Sequence, residues 1–165
     1  MALPPAAQRV IDAFTLRGVV ITVVESAETT RTAAEAAAAL QTSVGQIVKS
    51  LVFLVDRTPW LALVSGDNRL DEAKLARAVG GTAVLRANAD QVRDLTGFAI
   101  GGVPPISLNP KLRVVCDAEL LSYPIVYAAA GTPHHNFGIA PVKLVEVAAA
   151  TICDLRQDAP GAAFE

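Results

Sequence analysis

Few residues of this chain could do chemistry, and Lys49 leads them. It lies inside Ile47-Val48-Lys49-Ser50-Leu51-Val52-Phe53-Leu54-Val55, the most apolar run of the sequence, and is one of four lysines against ten arginines. An ammonium in such a run must pair, snorkel to the strand end or line a cleft, because burying it unpaired is costly. The pattern therefore admits a snorkelling side chain or a cleft lysine that holds an anionic ligand or a developing negative charge. Gly101-Gly102-Val103-Pro104-Pro105 is the second element. Its glycines allow close backbone approach and its prolines fix the exit geometry, so the N–H groups of Gly101 and Gly102 could donate to a carbonyl oxygen or an oxyanion. An ordinary tight surface turn fits the same letters. It is no dinucleotide fingerprint, because it lacks the GxGxxG spacing and the prolines would stop the required helix.

His134 and His135 are the only histidines. In a loop after a strand, edged by Gly131-Thr132-Pro133, one of them could carry a proton or contact a substrate near neutral pH, or both could be solvated. Adjacent side chains diverge, which argues against a joint metal site. Ser50, Ser65 and Ser107 lack the GxSxG context of a nucleophile elbow, so a Ser-His-Asp arrangement has little support. Ser65-Gly66-Asp67 reads instead as a strand-end turn. No Walker loop, HExxH or EF-hand spacing occurs. Cys116 and Cys153 have neither CxxC spacing nor a histidine at a metal-ligand offset, and both read as small core residues.

These groups need elements to position them. The run at Lys49, rich in β-branched residues and closed by Asp56-Arg57-Thr58-Pro59, reads as a strand covered on both faces, with Lys49 on the side of Ile47, Leu51, Phe53 and Val55. Trp60 to Ser65 is its hairpin partner. Ahead of it stand an amphipathic helix over 4–16 with Val10, Ile11 and Phe14 inward and Gly18 as its stop, a strand over 19–24, and a capping box at Thr32-Ala33-Ala34-Glu35 opening an alanine-rich helix to Leu40. Thr42 to Gly45 is a turn. Behind the hairpin come a helix over 71–79 closed by Gly80-Gly81, a strand over 82–85, and a helix capped at Asn88 that ends at Gly97. Strands over 113–116 and 125–130, a helix from Pro141 to about 149 and a strand over 151–155 complete the pattern, and the tail after Arg156 reads as frayed. Hairpins with short crossovers predict one α+β domain on a mixed sheet able to curl into a barrel, rather than a doubly wound α/β fold.

The 165 residues suit one domain with a full core. Mean hydropathy is +0.42, yet charged residues break every apolar run short of membrane-spanning length. The N-terminus has no basic segment followed by an apolar one, so a soluble cytoplasmic protein is expected. A net charge of -2 argues against a wide phosphate-binding footprint while permitting contact with one end of a nucleic acid.

Gln46-Ile47-Val48-Lys49-Ser50-Leu51-Val52-Phe53, Val64-Ser65-Gly66-Asp67, the Gly101–Pro105 loop and Ala130-Gly131-Thr132-Pro133-His134 occur in an order and spacing that resembles the YbaK/EbsC family, related to the editing domain inserted in bacterial prolyl-tRNA synthetases. The resemblance runs over roughly 5–155. It implies a single editing domain over 1–155 with a tail at 156–165, built as an α+β fold whose mixed, mostly antiparallel, barrel-like sheet is surrounded by short helices. It further implies a freestanding hydrolase that deacylates mischarged aminoacyl-tRNA, most typically tRNA(Pro) carrying alanine, cysteine or a similar small amino acid. The strand lysine needed for activity in that family matches Lys49. The loop matching Gly101, Gly102, Val103, Pro104 and Pro105 lines the aminoacyl pocket, and Thr32, Ser65, Gly131 and His134 are expected around it. The implied partner is the acceptor end of an aminoacyl-tRNA, helped by prolyl-tRNA synthetase or an elongation factor. No metal, cofactor, membrane or DNA is implied. The Gly131–His135 segment, GTPHH, departs from several branches of the family, which leaves the amino acid removed open. The competing reading is a non-catalytic module of the same fold that binds aminoacyl-tRNA or a nucleotide and regulates a partner.

Overall fold

Helix α1 (Pro5–Leu16) opens with a proline, whose missing N–H would be unpaired there anyway. It buries Ala7, Val10, Ala13 and Phe14, the helical spacing of one inward face, with Ile11 packed at the edge of the same core. Its last turn closes over Gly18 (φ +80°), and the Val19 N–H returns to the Phe14 carbonyl. That bond assigns Val19 to the helix end, so the expected strand over 19–24 shrinks to β1 (Val23–Glu25). The computed structural model describes residues 3–158, so most of the tail expected after Arg156 lies outside the described residues.

Helix α2 (Ala33–Leu40) begins at Thr32 with both reciprocal bonds of the capping box, and a short 3-10 turn (Val44–Gln46) leads into β2 (Val48–Val55). β2 returns as β3 (Thr58–Ser65) through the Asp56-Arg57 turn, where both residues have positive φ (48° and 71°). This is the twist a tight hairpin needs, reached without glycine. Pro59 stands in β3 opposite Leu54, beyond the end of β5, whose pairing starts at Trp60, so no ladder bond is lost. The hairpin is covered on both faces, as its composition predicts. Val48, Val52, Leu61 and Leu63 join the larger core with Val10, Phe14 and Phe137; Phe53, Val55, Trp60, Ala62 and Val64 join a smaller one with Leu75 and Leu155.

Helix α3 (Glu72–Val79) is capped by Asp71 and stopped by Gly80, and α4 (Ala89–Thr96) is capped by Asn88 and stopped by Gly97. Between them β4 (Val84–Arg86) pairs with the far end of β2. β5 (Arg113–Asp117) runs parallel to β3, and β8 (Thr151–Cys153) parallel to β5, giving the order β4-β2-β3-β5-β8. β6 (Val126–Ala129) and β7 (His135–Ile139) form an antiparallel pair with β1 outside β7, and α5 (Pro141–Ala148) follows. β7 was expected as loop. His135 and Asn136 are buried at its start because the chain turns back at Gly131–Pro133 to pair Asn136 with Ala129. The molecule is thus one α+β domain in which short helices surround a three-stranded antiparallel sheet and a five-stranded mixed one. The expected barrel-like sheet does not close: the two sheets are joined by one isolated bridge, Ile47 to Tyr127, among the described residues. No helix among those residues is long and apolar enough to cross a membrane.

Candidate functional site

A cleft of about 410 Å³ opens where the two sheets part. It is lined by β2 from Val48 to Val52, by Ala129 and Asn136 of the other sheet, by Thr30, Arg31 and Thr32 at the start of α2, by Arg86, Ala87 and Val92, and by the loop at Ile100, Gly101 and Val103. Lys49, Arg31 and Arg86 line it, and no carboxylate does. A cleft carrying only positive charge in a chain of net charge -2 is built for an anion.

Lys49 is half-buried and donates to the main-chain carbonyl of Asn68. Burial holds its ammonium below the ordinary lysine value, the charges of Arg69 and Arg86 push the same way, and Asp67 alone opposes them. With a carbonyl as its hydrogen-bond partner and no ion pair among the described residues, the ammonium keeps two protons free for a ligand.

The loop wall is fixed by backbone against backbone. The Gly131 N–H donates to the Gly102 carbonyl (2.9 Å), and the Gly102 N–H donates to the Ala99 carbonyl (2.9 Å). A Cβ on Gly102 would stand 2.5 Å from the Gly131 oxygen, and one on Gly131 would stand 2.5 Å from the Ala6 oxygen. Gly101 (φ +94°) takes a conformation that favours glycine, lines the cleft, and has an N–H that bonds no other described residue. The far side is stitched likewise. The Thr30 N–H and hydroxyl both donate to the Pro133 carbonyl (2.6 and 2.5 Å), and the Asn136 amide donates to the Thr30 hydroxyl (2.9 Å).

Of the residues singled out in the sequence, Lys49, Thr32, Gly101 and Val103 line the cleft. Gly102, Pro104 and Pro105 are buried behind that lining. Thr32 spends its hydroxyl on the Glu35 N–H as the α2 cap. Ser65 is fully buried, its hydroxyl donating to the Gly45 carbonyl (2.7 Å), and Gly131 sits under the loop against α1. His134 is exposed, with Nδ1 3.3 Å from the Ser26 carbonyl oxygen; His135 is buried, with Nδ1 2.5 Å from the Thr132 hydroxyl. Neither ring meets a serine hydroxyl, and Ser107 donates to the Asn109 carbonyl. No group of three or more His, Cys, Asp or Glu side chains able to hold a metal occurs among the described residues. Sequence reasoning passed over Thr30, Arg31, Arg86 and Asn136, and weighed Ser50 only as a nucleophile, whereas it lines the cleft. Arg31 and Arg86 carried a usable signal, since each lies within two residues of a helix cap, Thr32 and Asn88.

A profile of the aminoacyl-tRNA editing domain matches residues 27–147. The fold superimposes with a TM-score of 0.89 on a candidate trans-editing enzyme for prolyl tRNA synthetase, 48% identical over 95% of this chain and all of that one. The chain also resembles part of the proline–tRNA ligases of Maridesulfovibrio salexigens (40% identical over 47% of this chain) and Streptococcus equi (27% over 77%). It matches only 13% and 21% of the length of those ligases. The chain belongs to the aminoacyl-tRNA editing domain family.

Proposed function

We propose that this protein hydrolyses the ester of mischarged aminoacyl-tRNA in trans, acting on tRNA(Pro) that carries a small noncognate amino acid such as alanine or cysteine. The observation that carries the reading is Lys49: a half-buried ammonium, repelled by two arginines, on the wall of a cleft with no carboxylate. Such a group is suited to the terminal phosphate or sugar of an acceptor end and to the negative charge that develops as the ester opens. Arg31 and Arg86 extend the same field toward the rim. The positive charge is local, so the contact is limited to the acceptor end, and prolyl-tRNA synthetase or an elongation factor would hold the rest.

An aminoacyl ester is labile, so no covalent nucleophile is needed. An acceleration of about 10³–10⁴, roughly 4–5.5 kcal/mol, is within reach of positioning and charge stabilisation alone. Water attacks the carbonyl carbon, the free hydroxyl of the terminal ribose takes water's proton while passing its own to the departing ester oxygen, and the free amino acid and the ribose diol leave. Gly101 offers its N–H to the carbonyl oxygen; the Gly102 N–H is already engaged. Val103, Val92 and Ala87 crowd the amino acid side chain, and such a pocket separates one methylene by only about 1–3 kcal/mol. The test is deacylation of tRNA(Pro) charged with Ala, Cys, Ser, Thr or Pro by wild type and Lys49→Ala. Release of one or two noncognate amino acids, reduced about 10²-fold or more in the variant, is expected. Full activity in Lys49→Ala would remove the lysine from the mechanism, and no release from any species would leave a binding module.

A further inference from the structure

The β2 edge that faces away from β3 is covered at both ends and bare in the middle. At one end Ile47 bridges Tyr127 of β6; at the other, Phe53–Val55 pair with β4 and the Ala87 N–H donates to the Val52 carbonyl (3.0 Å). Between these, residues 49–51 have no strand paired on that side. The tight turn sets which residues face it. Val55 and Thr58 close the hairpin, so by alternation Phe53, Leu51 and Lys49 direct their main-chain groups to β3. Val52, Ser50 and Val48 direct theirs to the other edge, and the Ala87–Val52 bond confirms the phase. The N–H and C=O of Ser50 therefore point into the cleft, and its hydroxyl oxygen is buried with no hydrogen-bond partner. Strand interiors rarely leave so many polar groups of one residue unmatched.

We propose that this gap is the amino acid subsite of the cleft, and that Ser50 reads the substrate through its backbone. The inference rests on the deacylase reading above and says how that site recognises its substrate. An aminoacyl ester contains one residue of main chain: an ammonium donor, one Cα and a carbonyl acceptor. Laid against the open edge it forms the same two-bond exchange that pairs residues across a ladder. Its ammonium donates to the Ser50 carbonyl, and its ester carbonyl accepts from the Ser50 N–H, leaving a second lone pair for Gly101. Facing residues of such a pair share a sheet face, so the substrate side chain falls on the Val48 and Val52 side, against Val92 and Val103. Recognition of the amino group is then separate from selection of the side chain.

Two measurements test this. Amide hydrogen exchange on the free protein should show Ser50 exchanging at least 100-fold faster than Lys49 and Leu51. Addition of 3′-deoxy-3′-(L-alanylamino)adenosine, which cannot be hydrolysed as an ester, should slow Ser50 at least tenfold, while the 3′-propanoylamino analogue, lacking the amino group, should not. In the second, N-acetyl-Ala-tRNA(Pro) should be cleaved at least 100-fold less efficiently than Ala-tRNA(Pro), each rate being divided by the spontaneous hydrolysis of its own ester. Ser50→Pro deletes an N–H that no strand uses, and should bind the alanylamino analogue at least tenfold more weakly; should it not fold, the exchange data decide. A Ser50 amide as slow as its neighbours in the free protein, or deacylation with no protection of Ser50 and no sensitivity to N-acetylation, overturns the subsite while leaving the deacylase reading intact. Protection of Ser50 without turnover of any charged tRNA upholds the subsite and overturns the deacylase.

Discussion

Gly102→Ala separates a steric cost from a conformational one. Gly102 lies outside the left-handed φ range, yet a Cβ there would stand 2.5 Å from the Gly131 oxygen, 2.7 Å from its carbonyl carbon and 2.9 Å from the Thr132 Cα. Ordinary contact begins at 3.4 Å, so two backbones must part by about 0.9 Å, and the bond from the Gly131 N–H to the Gly102 carbonyl must stretch or break. A lost buried hydrogen bond costs about 1–3 kcal/mol and overpacking a further 1–3 kcal/mol. A destabilisation of about 3 kcal/mol is expected, which lowers Tm by roughly 6–12 °C in a chain of this size. Gly18→Ala is the control: its φ is +80° and nothing lies within 4 Å of the new Cβ, so only about 1 kcal/mol of left-handed strain applies. Gly101→Ala falls between, with φ +94° and a yielding neighbour, the Arg31 Cγ at 3.1 Å. Urea denaturation of the three variants beside wild type measures the series. A Gly102→Ala as stable as Gly18→Ala would refute the backbone stitch. In folded Gly102→Ala, displacement of Gly101 and Val103 should also cut turnover about 10²-fold.

Two further outcomes follow from the turn and the core. Arg57→Gly relieves a φ of 71° at the hairpin turn and gives the Asp-Gly pair that such turns favour, so it should stabilise by about 0.5 kcal/mol net of glycine entropy, read as a small rise in urea midpoint. Burial, then the Asp117 charge, then Cys153 lift the Cys116 thiol from 9.0 to about 12. The native state therefore keeps a proton that the unfolded chain releases above pH 9, and stability present below pH 9 is lost as pH rises toward 12. The loss at pH 10 is about 1.4 kcal/mol. Cys116→Ala should flatten the stability profile between pH 8 and 10 by that amount; an unchanged slope would show the thiol to be more accessible than its burial implies.

The caps and the central hairpin were legible because their signals are local. Thr32-Glu35, Asn88-Gln91 and the glycines at 80 and 97 act within a turn of themselves, and the β-branched apolar run at Lys49, closed by a turn, reads as a covered strand. The cleft was legible only in part. Lys49 and Gly101 stood out by type, but Thr30 meets Pro133 across 103 positions and Asn136 across 106, and no single-chain pattern announces such pairs. β7 escaped because His135 and Asn136 are polar residues in a buried strand, reading as loop. Ser50 escaped for another reason: its importance lies in main-chain groups, and these depend on where β4 ends rather than on the letter at position 50.

The contact beneath Gly131 gives the first helix a role at a distance. The Ala6 carbonyl fills the space a side chain at 131 would occupy, Gly131 holds Gly102, and Gly102 carries the Gly101 wall of the cleft. α1 lies wholly outside the matched segment 27–147, as do β8 and the buried Leu155. A fragment trimmed to the family boundaries would keep the lysine, the loop and both stitching glycines, but lose the buttress that sets their spacing. The working unit of this protein is therefore larger than its recognisable motif, and the helix that precedes the motif in sequence stands behind the binding wall in space.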